Sequence, residues 1–256
     1  MSQVTSKDGT SIAYDKTGQG PAVILVAGAF QDRRAMGAYA APLAAHFTVY
    51  AYDRRGRGDS GDTQPFALER EIEDLDAMIA EAGGTALVFA GSSGAVLGLD
   101  AAQHGSHITK LALHEPPFVV DDSRPPVPDD IVAELKKAIE EGRPGDAAEV
   151  YLTKGAGMSV EEVAQMRAAP YWGLSIEAVA PTLVYDAMFM DGTMRGKPLP
   201  ADRWTNVTMP VLITNSVSSF VWADASAEAL AELLPNATRK VFEGEAHDIS
   251  PETLAP

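Results

Sequence analysis

The sequence predicts an α/β fold: a mostly parallel central sheet with helices on both faces and a helical block inserted late in the sheet. Three observations carry this. Short apolar runs such as Ala22–Ala27 (AVILVA) alternate with helically spaced stretches, the alternation stops between Pro116 and about Val207, and it resumes at Val211. A run of that length without flanking polar alternation suits a strand buried on both faces, as in a parallel sheet.

In chain order, residues 3–16 alternate around Asp8-Gly9 and read as an opening β-hairpin. The strand Ala22–Ala27 precedes a helix over Arg34–Ala45, then a strand Phe47–Tyr52. Glu69–Ala82 places Ile72, Leu75, Met78 and Ile79 on one helical face. Ala86–Ala90 runs into GSSGAVLGLDAA, a helix beginning near Ser93, and Ile108–His114 is a further strand. The insertion opens with the Pro-rich acidic stretch EPPFVVDDSRPPVPDD and continues with helices over Asp130–Glu141, Asp146–Lys154, Val160–Ala168 and Ile176–Met190. Strand Val211–Thr214, helix Ala225–Leu234 and strand Thr238–Phe242 complete the pattern. Residues 1–115 and 208–256 therefore form the core, and 116–207 a helical cap over the C-terminal edge of the sheet; a separate domain is the weaker reading, because strands on both sides complete one sheet.

The chain has 256 residues, of which 46% are hydrophobic and 22% charged, enough for a large core in one domain. Its net charge of −16 and pI near 4.6 oppose binding to phosphate backbones or anionic lipid. No apolar run approaches a membrane span and the polar start MSQVTSKDGT carries no signal-peptide core, so a cytoplasmic location is expected. The absence of cysteine excludes disulfides, thiolate chemistry and cysteine-based zinc sites.

The chemistry concentrates at Gly91-Ser92-Ser93-Gly94-Ala95, which fits G-x-S-x-[G/A] between a strand and a helix. A serine hydroxyl is a weak nucleophile and needs exposure at a sharp turn within reach of a base. Ser93 is the nucleophile in this register; Ser92 would serve only in another. The bland alternative is a Gly/Ser turn capping a helix. Two further motifs accompany it: Val26-Ala27-Gly28-Ala29-Phe30 after the first buried strand, and Asp53-Arg54-Arg55-Gly56-Arg57-Gly58-Asp59-Ser60 after the second. Near the C-terminus Gly244-Glu245-Ala246-His247 follows the last strand.

From about residue 10 onward these landmarks, in this order, resemble the α/β-hydrolase superfamily, in detail the small bacterial serine esterase-like hydrolases. The resemblance implies that His247 is the catalytic base and that the N–H groups of Ala29 and Gly94 hold a developing oxyanion. Ala27 stands where many relatives have histidine. The Asp53–Ser60 turn resembles the family's D-x-R-G-x-G-x-S motif and is scaffold. The family's usual aspartate after the penultimate strand is missing from Leu212–Phe220. Glu115, after the strand following the elbow, is the leading acid, as in several haloalkane dehalogenases; Asp224 is a rival, and a neutral hydrogen bond from Asn215 or Ser219 is another. Of the other histidines, His46, His104 and His107 suit surface or capping roles and His114 a packing or pocket role.

Phe30, His114, Trp172, Met188 and Trp222 are the expected substrate contacts, giving an apolar or aromatic pocket. The expected activity is hydrolysis of a carboxylic ester or related acyl bond of a small molecule through an acyl-enzyme, with no metal or organic cofactor. Lactone, peracid or C–C chemistry at the same residues, and a ligand-binding protein with little turnover, are the alternatives. Dehalogenase and epoxide-hydrolase chemistry are disfavoured, because both need a carboxylate in place of the serine.

Overall fold

The computed structural model describes residues 1–243 and 245–254; Gly244 of the GEAH segment lies outside them. The sheet has eight strands in the order β1-β2-β4-β3-β5-β6-β7-β8. These are β1 (Ser2–Thr5), β2 (Ser11–Gly18), β3 (Ala22–Val26), β4 (Thr48–Tyr52), β5 (Ala86–Gly91), β6 (Ile108–His114), β7 (Val211–Ser216) and β8 (Ala237–Phe242). The hairpin β1–β2 pairs antiparallel, β2 joins β4 antiparallel, and every pairing from β4 to β8 is parallel. Strand order reverses beside β3, so the loops after β3 and β5 open side by side at the strands' C-terminal ends, where open α/β sheets hold their ligands.

Period-two alternation assigns the two faces. Ile24 and Val26 of β3 point into the larger core, which includes residues of α2 (Leu68–Glu81), α3 (Ser93–Gln103) and, from past β7, the helix Ala223–Leu233. Val23, Leu25 and Ala27 point the other way, onto Met36 and Ala40 of α1 (Arg33–Leu43).

Between β6 and β7 the chain is helical, with α4 (Ile131–Glu140), α5 (Pro144–Val150), α6 (Val160–Arg167) and α7 (Leu183–Phe189). The helix over Ala223–Leu233 is then α8, and a short α9 (Pro251–Leu254) follows the histidine segment. Two expected helices differ from their sequence assignment. The one over 146–154 becomes a wide π-helical turn at Tyr151–Ala156. The one over 176–190 breaks into a π-helical turn at Trp172–Glu177, a 3₁₀ turn at Ala180–Thr182 and α7, because Pro181 cannot continue an α-helical ladder.

The turn after β4 stitches the layers together. Arg54, Arg55 and Arg57 are all buried. Arg55 grips Asp74 of α2 through two bonds of 2.8 Å, and Arg54 grips Glu71 of the same helix at 2.5 and 2.7 Å. A buried ion pair contributes little on its own, but losing one partner strands a charge and costs about 3–5 kcal/mol.

Almost every residue of α3 is buried, and its first turn passes hard against β3. A Cβ on Gly94 would stand 2.7 Å from the carbonyl oxygens of both Val26 and Ala27, whereas one on Gly98 would crowd the tip of Leu111 at 3.3 Å and meet Ala90 Cβ and Leu113 at ordinary contact distances. Gly94→Ala is therefore expected to destabilise by about 1–3 kcal/mol through forced backbone movement. Gly98→Ala should be near neutral, since about 1 kcal/mol of helix propensity offsets a small repacking of Leu111. Thermal unfolding of the two variants checks this, and equal midpoints would contradict it.

Candidate active site

The elbow is built from β5, β6 and α3. Ser92 joins the last residue of β5 to the first of α3 at φ 52°, ψ −128°, a region that costs a non-glycine residue about 1–3 kcal/mol. The neighbours hold it there. The Ser92 N–H donates to the His114 carbonyl at 2.8 Å, the Ser92 carbonyl accepts from Ala95 N–H at 2.9 Å, and a Cβ on Gly28 would lie 3.0 Å from Ser92 Cβ.

The expected register is corrected here by one residue. Strand β5 runs through Gly91, so the strained turn falls on Ser92 and not on Ser93. Ser93 is the first residue of α3 and wholly buried, with its hydroxyl beside the buried Tyr151 and Asp186. Ser92 is half-buried and lines the cavity described below. In this register Ala90 and Gly94 are the small residues two before and two after. Gly94 is thus the glycine that lets α3 pass close to the Val26 and Ala27 carbonyls. The N–H following the elbow residue belongs to Ser93, at the first helical position, where no intrahelical carbonyl can accept it.

Glu115 follows β6 directly, at φ 46° and fully buried. Its N–H donates to Thr214 O at 2.9 Å. Its Oε2 accepts from His247 Nδ1 and from Ser219 Oγ, each at 2.5 Å, and its Oε1 accepts from Ser216 N–H at 2.8 Å. Burial pushes this carboxyl up, but the His247 and Ser219 hydrogen bonds, the imidazole charge and the Ser216 N–H outweigh it, leaving the pKa lowered. The structure thus brings Glu115 and His247 together. Ser219 steadies the carboxylate rather than the ring, while Asn215 turns away to Asp224 and Arg239.

His247 is 28% exposed on its side chain, with the rings of Phe220 and Trp222 edge-on to it at centroid distances of 5.0 and 6.2 Å. His114 braces its backbone. His114 Nε2 lies 3.0 Å from the His247 carbonyl, which can only accept, so Nε2 carries the proton. Burial lowers the pKa of His114, and its Nδ1 lies 2.9 Å from Thr214 Oγ.

Above these groups lies a cavity of about 420 Å³. The strand-end loops contribute Ala29, Phe30, Ser92, Phe220, Trp222 and His247; the helical segment contributes Tyr151, Ile176 and the methionines 158, 166, 190 and 194. Among the described residues no lysine or arginine lines it, and Asp248 is its only carboxylate. Phe30 and Trp222 stand where the sequence places them.

Three other expected contacts do not. His114 faces a narrower cleft shared with Ser92 and His247. Trp172 is buried off the wall, its indole N–H donating to Glu177 at 2.9 Å, and Ile176 lines the cavity from that turn instead. Met188 is replaced by Met190: Asp186 faces the core, Met190 shares its face four residues on, and Met188 between them points elsewhere. Tyr151 and the methionines 158, 166 and 194 were missed, whereas Met190 belongs to the run Met188-Phe189-Met190, whose thioethers were an available signal. No group of residues suited to a metal ion occurs among the described residues, and none of their helices is long and apolar enough to cross a membrane.

A carboxylate with a lowered pKa stabilises the fold above the ordinary carboxylate range and loses that contribution as pH falls through its folded pKa. The stability gap between wild type and Glu115→Gln is therefore expected to be full near about pH 7 and to narrow towards about pH 3. Denaturant titrations at both values check it; a gap that widens in acid would contradict it.

Residues 23–254 match the profile of the Alpha/beta hydrolase family. The structure of an alpha/beta hydrolase from Sphaerobacter thermophilus DSM 20745 superposes with a TM-score of 0.93 at 48% identity, covering 100% of this chain and 97% of that one. The non-heme chloroperoxidase CPO-A1 of Kitasatospora aureofaciens is 27% identical over 269 residues, 96% of this chain and 92% of that protein. The uncharacterized hydrolase YraK of Bacillus subtilis is 34% identical over 113 residues, a stretch spanning 42% of each protein. With the profile match running nearly the length of the sheet and its insertion, the chain belongs to the alpha/beta hydrolase family.

Proposed function

We propose that this protein hydrolyses carboxylic esters, or closely related acyl bonds, of small neutral apolar substrates through an acyl-enzyme on Ser92. The observation that carries the reading is the half-buried serine at a strained elbow, sharing a cavity with a histidine whose Nδ1 is held by a buried carboxylate. His247 Nε2 takes the Ser92 proton as Oγ attacks the acyl carbon and later returns it to the leaving alkoxide; water, activated by the same imidazole, releases the acid. Glu115 fixes the tautomer and offsets the imidazolium charge. The N–H groups of Ala29 and Ser93 receive the oxyanion, an interaction worth about 3–4 kcal/mol per donor in comparable sites.

The helical segment acts as the cap, and its methionines make an adaptable apolar wall. Without a cationic side chain at that wall, neutral acyl groups are favoured over carboxylate-bearing ones. A second reading keeps every residue and lets hydrogen peroxide attack the acyl-enzyme, giving a peracid; the whole-length likeness to a non-heme chloroperoxidase favours it.

Ester turnover tests the assignment. Ser92→Ala is expected to abolish measurable hydrolysis, while Ser93→Ala, which keeps the backbone N–H, loses far less. His247→Ala should lower turnover by at least ~10³-fold and Glu115→Gln by ~10³–10⁴-fold, each with the fold intact by circular dichroism. Full activity in Ser92→Ala, or a loss confined to Ser93→Ala, would sink the assignment. A folded wild type inert towards esters of every acyl length would favour a ligand-binding protein.

A further inference from the structure

The turn after β4 carries arginine at two positions the family motif leaves open, Arg54 and Arg57, and both reach one carboxylate on the inserted segment. Asp186 of α7 accepts from Arg54 Nη1 at 2.7 Å through one oxygen and from Arg57 Nη2 at 2.5 Å through the other. All three are essentially inaccessible to solvent. Glu71 supplies the second carboxylate, so two guanidinium groups face two carboxylates and the cluster is neutral.

Other donors of these arginines reach the loop after β3 and the turn before α7. Arg57 Nη1 donates to the Gly28 carbonyl at 2.5 Å and to the Gln31 carbonyl at 3.3 Å; Arg54 Nη1 reaches the Ala27 carbonyl at 3.3 Å. Arg57 Nε is held by Thr182 Oγ at 3.0 Å, from the turn that leads into α7. Arg57 therefore spans from the inserted segment to both ends of the 28–31 loop.

The Gly28 carbonyl and the Ala29 N–H belong to one trans peptide unit, in which the C=O and N–H point in opposite directions. Anchoring the carbonyl to Arg57 on the core side aims the N–H the other way, and Ala29 lies on the cavity wall beside Ser92. The loop cannot settle elsewhere without loss, because Gly28 is packed against Gly91 O and Ser92 Cβ.

We infer that Arg57, oriented by Asp186 and Thr182 of the inserted segment, is a positioning residue that aims the Ala29 N–H at the reacting oxygen. The segment is then part of the machinery that builds the oxyanion site, besides roofing it. This rests on the reading of the site as an acyl hydrolase with Ala29 as an oxyanion donor.

An aiming role and a scaffolding role separate by what they move. Misdirecting a donor weakens binding of the tetrahedral oxyanion and leaves ground-state binding alone, whereas loss of scaffold lowers stability without choosing between them. Three variants are compared with wild type: Arg57→Met, Asp186→Asn and Arg57→Lys. The readouts are kcat, KM, the melting temperature, and affinity for a trifluoromethyl ketone and for an ether of the same shape. The ketone forms a tetrahedral adduct with the serine, and the ether does not.

For Arg57→Met the expected result is a kcat lower by ~10²-fold with KM within about threefold, weaker ketone binding in proportion and unchanged ether binding. Asp186→Asn should move the same quantities the same way by ~10-fold, since the guanidinium keeps its carbonyl bonds but loses its anchor. Arg57→Lys should recover part of the loss, having one ammonium to offer Gly28 and no planar fork for Asp186. If Arg57→Met does not fold, Asp186→Asn decides.

Folded variants with lowered melting temperatures but wild-type kcat and ketone affinity would overturn the inference, as would a rise in KM alone. Failure of the underlying reading looks different: wild type itself would neither turn over esters nor bind the ketone, and both proposals would fall.

Discussion

The structure turns on one strained peptide, the elbow at Ser92. A backbone at φ 52° is unfavourable for serine, and it persists because three neighbours leave it no alternative. The His114 carbonyl of β6 captures its N–H, Gly28 closes on it from the β3 loop, and α3 begins at the next residue. Each depends on close approach. A methyl group on Gly94 would push α3 off the β3 carbonyls, and the turn would lose the helix that continues from it. The hydroxyl is presented by the packing of three parallel strands, with the strain as the consequence.

The same strand edge supplies the rest of the site. β6 ends in His114 and Glu115, which divide the work of holding His247: one takes its backbone carbonyl, the other its ring Nδ1. β7 ends beneath Glu115, where the Ser216 N–H and Ser219 hydroxyl satisfy the carboxylate. A carboxylate with three donors stays ionised despite burial, which is the state that can support an imidazolium. On the far side the arginines of the Asp53–Ser60 turn fix the loop that faces Ser92, and Asp186 ties that turn to the inserted segment.

Much of this was legible in the sequence. Alternating apolar runs gave the strand order's raw material, and the break at Pro116 located the insertion. Glu115 was readable as a strand-end carboxylate where the family's usual aspartate is missing, a choice implied by the resemblance to relatives that draw this acid from the strand after the elbow. The serine register was not readable with the same security. Ala90-Gly91-Ser92-Ser93-Gly94 and Gly91-Ser92-Ser93-Gly94-Ala95 both place a small residue two before and two after a serine. What separates them is where β5 stops, and a difference of one residue in a strand end is set by pairing with β6 rather than by local propensity. The cavity wall was blurred for a related reason. Wide π-helical turns at 151–156 and 172–177, and the break at Pro181, shift which side chains share a face, so Ile176 and Met190 line the cavity in place of the expected Trp172 and Met188.

The central claim is that the chain's nucleophile is Ser92, placed by that elbow. The most direct measurement is tandem mass spectrometry of the active-site peptide after reaction with a fluorophosphonate, using fragment ions that cleave between residues 92 and 93. The account expects a single phosphonyl adduct on Ser92, absent from His247→Ala over the same interval. An adduct on Ser93, or a folded protein that takes up no label at all, would contradict it.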